Sequence, residues 1–440
     1  MEKLFKLKQH HTSVGTEIIA GIATFLAMAY IIVVNPTILS KTGMSFSGVL
    51  FATVLVCAFS SIAMGLYANL PFAIAPGMGI NAFFTYTLVK GMGIPWETAL
   101  GAVFISGILF ILLSVFKVRT TIVRAIPASI RYAVAAGIGL FLTLIAFEEV
   151  GFIVHDPATI VGFGGIDLTV ALFLTGLVIT SVLVIMKVKG DLVLGIISTS
   201  IIALVVSMVG VATGMLDNPI VTPPERVFAF PTFEVFLKLD IIGALKWGML
   251  GPIFALIFTD MFDSISTFLG VSQVAGLIDK QGQPYNVGRA LLVDAGATTI
   301  SGLFGTSSGT TYIESAAGVE EGGRTGLTAV IAGLLFIPFM FLSPMLSFIP
   351  SVATAPVLVI VGVFMMKPIS NLDWKKMDEA IPAFLALILI PLTYSITQGI
   401  IWGFLSYTAL KLLTGRGKQI HWMLYIIDGF AILSLVLAIY

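Results

Sequence analysis

The sequence predicts an all-α polytopic membrane protein whose fourteen transmembrane segments form two inverted seven-helix repeats. Three observations predict it. Of 440 residues, 58% are hydrophobic and 10% charged, with a mean hydropathy of +1.07. A soluble domain carries about 25% charged residues, so this chain cannot present an ordinary aqueous surface. Apolar runs long enough to cross about 30 Å of hydrocarbon recur along the whole chain. Two segments are also broken by polar, glycine-rich stretches at matching places in the two halves, the sequence signature of a substrate site built from discontinuous helices.

The first half reads as spans at 14–34, 46–68, 78–90, 95–116, 128–148, 168–187 and 191–213. The second reads as spans at 246–271, 286–303, 313–320, 324–348, 353–367, 379–396 and 398–413. The first span follows a basic N-terminus with no site of the kind signal peptidase cuts, so Glu17–Val34 reads as a retained helix. The expected organisation is a first repeat at 1–213, an extracellular central loop at 214–243 rich in Pro and charge, a second repeat at 244–413, and a basic loop plus apolar tail at 414–440. An odd number of spans per repeat forces the two copies into opposite topology.

Charge placement agrees. Lys3, Lys6 and Lys8 put the N-terminus in the cytoplasm by the positive-inside rule. Counting spans from there, cytoplasmic loops receive Lys117, Arg119, Arg124 and Arg131, then Lys187 and Lys189, Lys280 and Arg289, Lys367, Lys375 and Lys376, and Lys411, Arg416 and Lys418. Outer loops receive mainly Glu148, Glu149, His155 and Asp156, or no charge at all. Two further stretches resemble each other, IPASIRYAVAAGIGLFL (126–142) and IPSVATAPVLVIVGVFM (349–365). The tail His421–Tyr440, with Asp428 at its middle, reads equally as a fifteenth span or an interfacial helix.

Composition also excludes functions. A net charge of zero gives no reason to expect nucleic acid as a partner. The single cysteine, Cys57, forbids an intramolecular disulfide and a cysteine metal cluster. The four histidines, at 10, 11, 155 and 421, lie at predicted edges and support neither a metal site nor an intramembrane relay. No P-loop is present, against an ATP-driven pump, and no cofactor is implied.

The later break is SGLFGTSSGTTYIESAAGVEEGGRTG (301–326), with Glu314 where a helix restarts. The earlier one is GLYANLPFAIAPGMGINAFF (65–84), and Asn81 occupies nearly the matching place. Glu314 beside free backbone N–H groups can serve a ligand or simply cap its helix. The amide of Asn81 offers donor and acceptor, which suits a base edge or a structural bond. In FALIFTDMFDSISTFLG, Asp260 and Asp263 stand at i and i+3, with Ser264 and Thr267 continuing the stripe. Ionisable groups inside a span are costly and need a reason. Two carboxylates so close in low dielectric do not both hold charge easily, and a carboxyl that gains and loses a proton is what proton coupling requires. The other reading is that one aspartate braces a neighbouring broken helix; direct ligand contact falls first to Asp260. Thr310, Thr311 and Ser307 are donors for a ligand or for broken helix ends. Phe83, Phe84 and Phe262 can stack on a ring or merely pack, Asp294 can pack or couple, and Glu17 reads as interfacial.

At TEIIAGIATFLAMAYIIVVNPTIL (16–39), ANLPFAIAPGMGINAFF (68–84), FTDMFDSISTFLG (258–270) and the 301–326 motif, the chain resembles the nucleobase/cation symporter family of uracil, xanthine and purine permeases. More narrowly it resembles the AzgA-like branch of adenine and guanine/hypoxanthine permeases, over essentially its whole length. The resemblance implies a core of spans 1–4 and 8–11, a gate of spans 5–7 and 12–14, and short β-strands in spans 3 and 10. It implies proton-coupled uptake of a purine nucleobase by alternating access across the plasma membrane, with guanine and hypoxanthine ahead of adenine or xanthine. It carries substrate contact to Asn81, Asp260 and Glu314, with Thr310, Thr311 and Phe262 beside them, and coupling or site geometry to Asp260, Asp263 and Glu314. Homodimers occur in the family.

Three other classes compete. An anion carrier of the same inverted fold should lack carboxylates in its site, because fixed negative charge repels its substrate. An intramembrane aspartyl protease draws its two carboxyls from separate segments, unlike a pair on one helix. A channel does not need a central site with breaks on both sides.

Overall fold

A computed structural model describes residues 2–116, 122, 125–224, 226–277 and 285–439. Lys117, Arg119, Arg124, Glu225 and Lys280 therefore lie outside the described residues. The fold is overwhelmingly helical, and eight helical stretches among the described residues are long and apolar enough to cross a membrane. In chain order the principal elements of the first half are α1 (Val14–Met28), α2 (Ile31–Ser40), α3 (Phe46–Ala63), β1 (Ile74–Pro76), α4 (Met78–Ala82), α5 (Trp96–Val115), α6 (Ala128–Glu149), β2 (Ile153–Asp156), β3 (Ile160–Phe163), α7 (Leu168–Ile185) and α8 (Asp191–Ala212). Those of the second half are α9 (Leu250–Ala275), α10 (Val287–Phe304), β4 (Gly309–Thr311), α11 (Ser315–Glu320), α12 (Gly326–Phe336), α13 (Ser351–Met366), α14 (Met377–Leu392), α15 (Ile396–Leu413) and α16 (Trp422–Ile439).

Local chemistry sets the helix starts. Ser13, Ser45, Asp167 and Ser395 each cap a helix by accepting a backbone N–H with the side-chain oxygen. Pro95, Pro127 and Pro350 stand just before α5, α6 and α13. The stretches 126–142 and 349–365 are the openings of α6 and α13, which pack on each other. A Cβ on Gly139 or Gly362 would meet the other glycine's carbonyl oxygen at 2.6 Å, so both must be glycine for the helices to touch there.

Boundaries differ from expectation in three places. The first helix does not stop at Val34; α2 runs to Ser40 with Pro36 inside it. Proline removes only one intrahelical bond, and the Thr37 hydroxyl donates 2.8 Å to the Val33 carbonyl. The expected span 324–348 is instead α12, a 3₁₀ turn Ile337–Phe341 and a one-turn helix Ser343–Ser347, with Pro338 and Pro344 opening the two short pieces. Between α6 and α7 stands an unexpected hairpin, β2 antiparallel to β3.

Helices pack in two sets. In one, α10 lies on α5, α12 on α1 and α3, and α11 on α1. In the other, α6 lies on α13 and α14, α14 on α15, and α7 and α8 on each other and on α13. Contacts between the sets are thinner, through α4 on α6, α9 on α15 and α1 on α8. Helix α16 buries one stripe, Leu424, Ile427, Asp428 and Ala431, against α15 and α9. Thr408 of α15 donates 2.5 Å to Asp428, and Ser434 packs at Gly251 near the start of α9. The tail thus runs back along α15 from its end toward the start of α9.

Candidate functional site

Strands β1 and β4 cross in the interior as an antiparallel pair, with Ile74 opposite Thr311, Ala75 opposite Thr310 and Pro76 opposite Gly309. Non-helical backbone in an apolar interior must have its polar groups met by protein. Hydroxyls meet them. Ser61 Oγ accepts from the Ile74 N–H at 2.9 Å and donates to its carbonyl at 3.2 Å. Ser315 Oγ accepts from Ala73 N–H and Ser301 Oγ from Gly309 N–H, each at 3.0 Å. Tyr312 Oη donates 2.5 Å to the Pro76 carbonyl. Ser301, Tyr312 and Ser315 of the second break thus serve backbone groups, whereas Thr306, Ser307, Thr310 and Thr311 bond side chains.

Helix α9 passes this crossing with two carboxylates. Residues three apart on an α-helix are about 60° apart in projection, and the two aspartates face different things. Asp260, fully buried, accepts from Thr298 Oγ1 at 2.6 Å and from Ser264 Oγ at 3.3 Å. Ser264 and Thr298 also reach Asp294, Thr310 and the Gly309 carbonyl. Asp294 in turn accepts from the Thr311 N–H at 3.2 Å. Asp260 and Asp294 therefore brace β4 from behind.

Asp263 is half-buried and, with Thr267 one turn on, faces a cavity. Its Oδ2 lies near Gly77 at the end of β1, 3.5 Å from where a Cβ on that glycine would stand. Thr311, Tyr312, Ile313 and Glu314 line the cavity too, with Tyr30 beside them. Met78 and Gly79 of α4 and Val361, Phe364 and Met365 of α13 complete it, so both helix sets contribute. Its volume is about 100 Å³; one water needs about 10–15 Å³ by that measure, so there is room for a small molecule. Tyr30 Oη donates 2.7 Å to Glu314 Oε1.

Of the residues singled out in the sequence, Asp263, Thr267, Thr311 and Glu314 are thus brought together around one cavity. Asp260 and Thr310 lie behind β4. Asn81 is fully buried on α4, where it accepts from Ser307 Oγ across the two breaks. Phe262 points to the packing seam, its ring 5.8 Å from Phe258 and 6.3 Å from Phe404 of α15. Phe83 and Phe84 are wholly buried. Glu17 is not interfacial: it is fully buried and accepts from the N–H groups of Arg324, Thr325 and Thr328 and from the Thr328 hydroxyl, capping α12. The start of α12 offers free N–H groups and positive dipole, which repays burial of the charge.

Two residues escaped the sequence reading. Tyr30 sits where α1 gives way to α2, and a tyrosine in an apolar run needs a partner for its hydroxyl. Asn35 on α2 donates 2.6 Å to Thr53 and 2.8 Å to Thr306, tying α2 to α3 and to the second break.

A polar cluster closes the seam elsewhere. Lys41, after α2, pairs with Glu149 at the end of α6, and Tyr86 Oη donates 2.5 Å to the same carboxylate. Thr87 donates 2.7 Å to the Tyr394 carbonyl, and Tyr394 Oη donates 3.5 Å to Glu148. Glu149 lies fourteen residues beyond Ala135, a cavity-wall residue of the same helix, roughly 21 Å along its axis.

Residues 15–401 match the family model Xan_ur_permease, described as a permease family. The chain belongs to this family. It is accordingly a multi-pass membrane permease and not an enzyme. It is 40% identical to the guanine/hypoxanthine permease PbuO of Bacillus subtilis, over 98% of this chain and 99% of that one. It is 39% identical to the adenine permease AdeP of Escherichia coli, over 99% of this chain and 96% of that one. Among solved structures, the transmembrane domain of the cyanobacterial bicarbonate transporter BicA superposes with a TM-score of 0.63 at 16% identity, covering 87% of this chain and 96% of that one. That likeness speaks to the permease's fold alone.

Proposed function

We propose that this permease takes up purine nucleobases, guanine and hypoxanthine first, coupled to protons and by alternating access. The observation that carries the reading is the single cavity lined by both Asp263 and Glu314 beside the β1–β4 crossing. Purines offer N–H groups on both rings, and an acceptor-rich wall is complementary to them. The relatives supply the substrate class, since they are guanine/hypoxanthine and adenine permeases. Asp263 and Glu314 are the direct contacts in this reading, with Thr311 beside them. Asp260, Thr310 and Asn81 hold the two breaks in position behind that wall, and Phe262 lines the seam. A carboxyl among Asp260, Asp263 and Glu314 carries the proton.

Fourteen spans in two inverted sevens are the topology of this reading, with the N-terminus in the cytoplasm of a plasma-membrane protein. The α1–α5 and α9–α12 set is the core and the α6–α8 and α13–α15 set is the gate. The Lys41–Glu149 cluster then shuts the outer side, and the base leaves toward the cytoplasm. A homodimer is compatible with it. An adenine permease is the nearest second reading, favoured by the adenine permease relative. An anion carrier fits poorly, because two carboxylates on the cavity wall would repel its substrate.

The test is uptake of radiolabelled hypoxanthine by cells devoid of their own purine permeases. Expressed protein should give accumulation that collapses with an uncoupler. Accumulation that survives the uncoupler and fails without sodium would replace the proton by Na⁺, and no uptake of any purine would remove the reading.

A further inference from the structure

Identity to relatives does not choose the purine, since the guanine/hypoxanthine and adenine permeases are matched almost equally well. Hydrogen-bond direction does. Tyr30 is 1% exposed, and its hydroxyl has one proton to give. A carboxylate only accepts, so with Glu314 ionised, the state that receives the base, the 2.7 Å contact commits that proton to Glu314 Oε1. Toward the cavity the pair therefore presents acceptors alone: the phenol oxygen's lone pairs and the remaining carboxylate oxygen. Asp263, which lines the same cavity, is another acceptor. The Thr311 hydroxyl is engaged as a donor to Asp294 at 3.3 Å, so its face toward the cavity accepts too.

We propose that Tyr30 is a specificity-determining residue, which with Glu314 forms a two-acceptor edge for adjacent N–H donors and so selects guanine. This rests on the purine-uptake reading. Guanine carries N1–H and a 2-amino group side by side. Hypoxanthine keeps N1–H and lacks the amino group. Adenine presents an unprotonated N1, an acceptor, at the same place, where it would face a carboxylate with no proton between them. A site built to pair a donor rejects a ligand lacking it far more strongly than an apolar pocket rejects a change of size. Tyr30 acts both by its own lone pair and by holding Glu314 in place.

The experiment is competition of radiolabelled hypoxanthine uptake by unlabelled guanine, adenine and 1-methylguanine, in the wild type and in Tyr30→Phe. In the wild type guanine should compete at least about tenfold better than adenine or 1-methylguanine. Tyr30→Phe, which keeps the ring, should lower the guanine-to-adenine preference about tenfold, read as the ratio of the two competitors' inhibition constants and so independent of any loss of maximal uptake. A merely structural tyrosine would lower maximal uptake and leave the preference intact. Wild-type competition by adenine or 1-methylguanine equal to that of guanine would overturn the proposal, as would an unchanged preference in Tyr30→Phe. If Tyr30→Phe does not reach the membrane, the 1-methylguanine result in the wild type decides. Uptake of some purine with the wrong order refutes the selectivity alone, whereas uptake of no purine refutes the underlying reading as well.

Discussion

The two broken segments meet strand to strand, yet they contribute different things. The second, Gly305–Glu314, brings Thr311, Tyr312 and Glu314 to the cavity wall. The first brings Met78 and Gly79 but no charge, and its amide Asn81 is spent on Ser307. Its glycines serve approach: a Cβ on Gly77 would stand 2.7 Å from Thr310 Cγ2, and one on Gly79 2.5 Å from Ile138 Cγ2 of α6. Related backbones have thus divided the work, one end carrying chemistry and the other permitting close packing. The same division recurs on α9, where Asp263 faces the cavity and Asp260 braces β4.

The sharpest way to break this contrast is on α9. Asp263→Asn should lower initial hypoxanthine uptake about 100-fold, as for loss of a charged hydrogen-bond acceptor, with unchanged amounts of protein in the membrane by immunoblot. Asp260→Ala should instead cost about 1–3 kcal/mol of stability, by stranding the hydroxyls that hold β4, read as a lowered melting temperature in detergent. Asp263→Ala should not lower it. Equal stability losses in both would erase the distinction. Between the two breaks, Asn81→Ala removes one neutral hydrogen bond, about 1 kcal/mol, so uptake should fall about fivefold rather than vanish. The smallest effect belongs to the Lys41–Glu149 pair, about 21 Å along α6 from the cavity wall. Lys41→Glu should change the uptake rate by a few-fold at most, and the double exchange with Glu149→Lys should restore it. A double exchange no better than the single would show that the pair does not act as a unit.

Much of this was legible in the sequence because membrane physics is strict. Long apolar runs, broken segments and the pairing of 126–142 with 349–365 all follow from hydropathy and from where glycine and proline fall. Glu314 stood out because a carboxylate at a helix restart is rare in such a chain. Spacing could not say which aspartate of α9 faces the ligand, since a 60° turn is settled only by what β4 and α10 place around it. Glu17 looked interfacial because its position near a helix start is ambiguous until α12 is seen to start on it. Tyr30 gave little signal at all, because its hydroxyl's partner, Glu314, is 284 residues away.

The central claim is that a purine sits between Asp263 and the second break. Equilibrium binding of radiolabelled hypoxanthine to purified protein tests it without any dependence on coupling or gating. The account predicts that Glu314→Gln weakens binding by about 100-fold while Asn81→Ala weakens it by less than about tenfold. Wild-type binding by Glu314→Gln would contradict it.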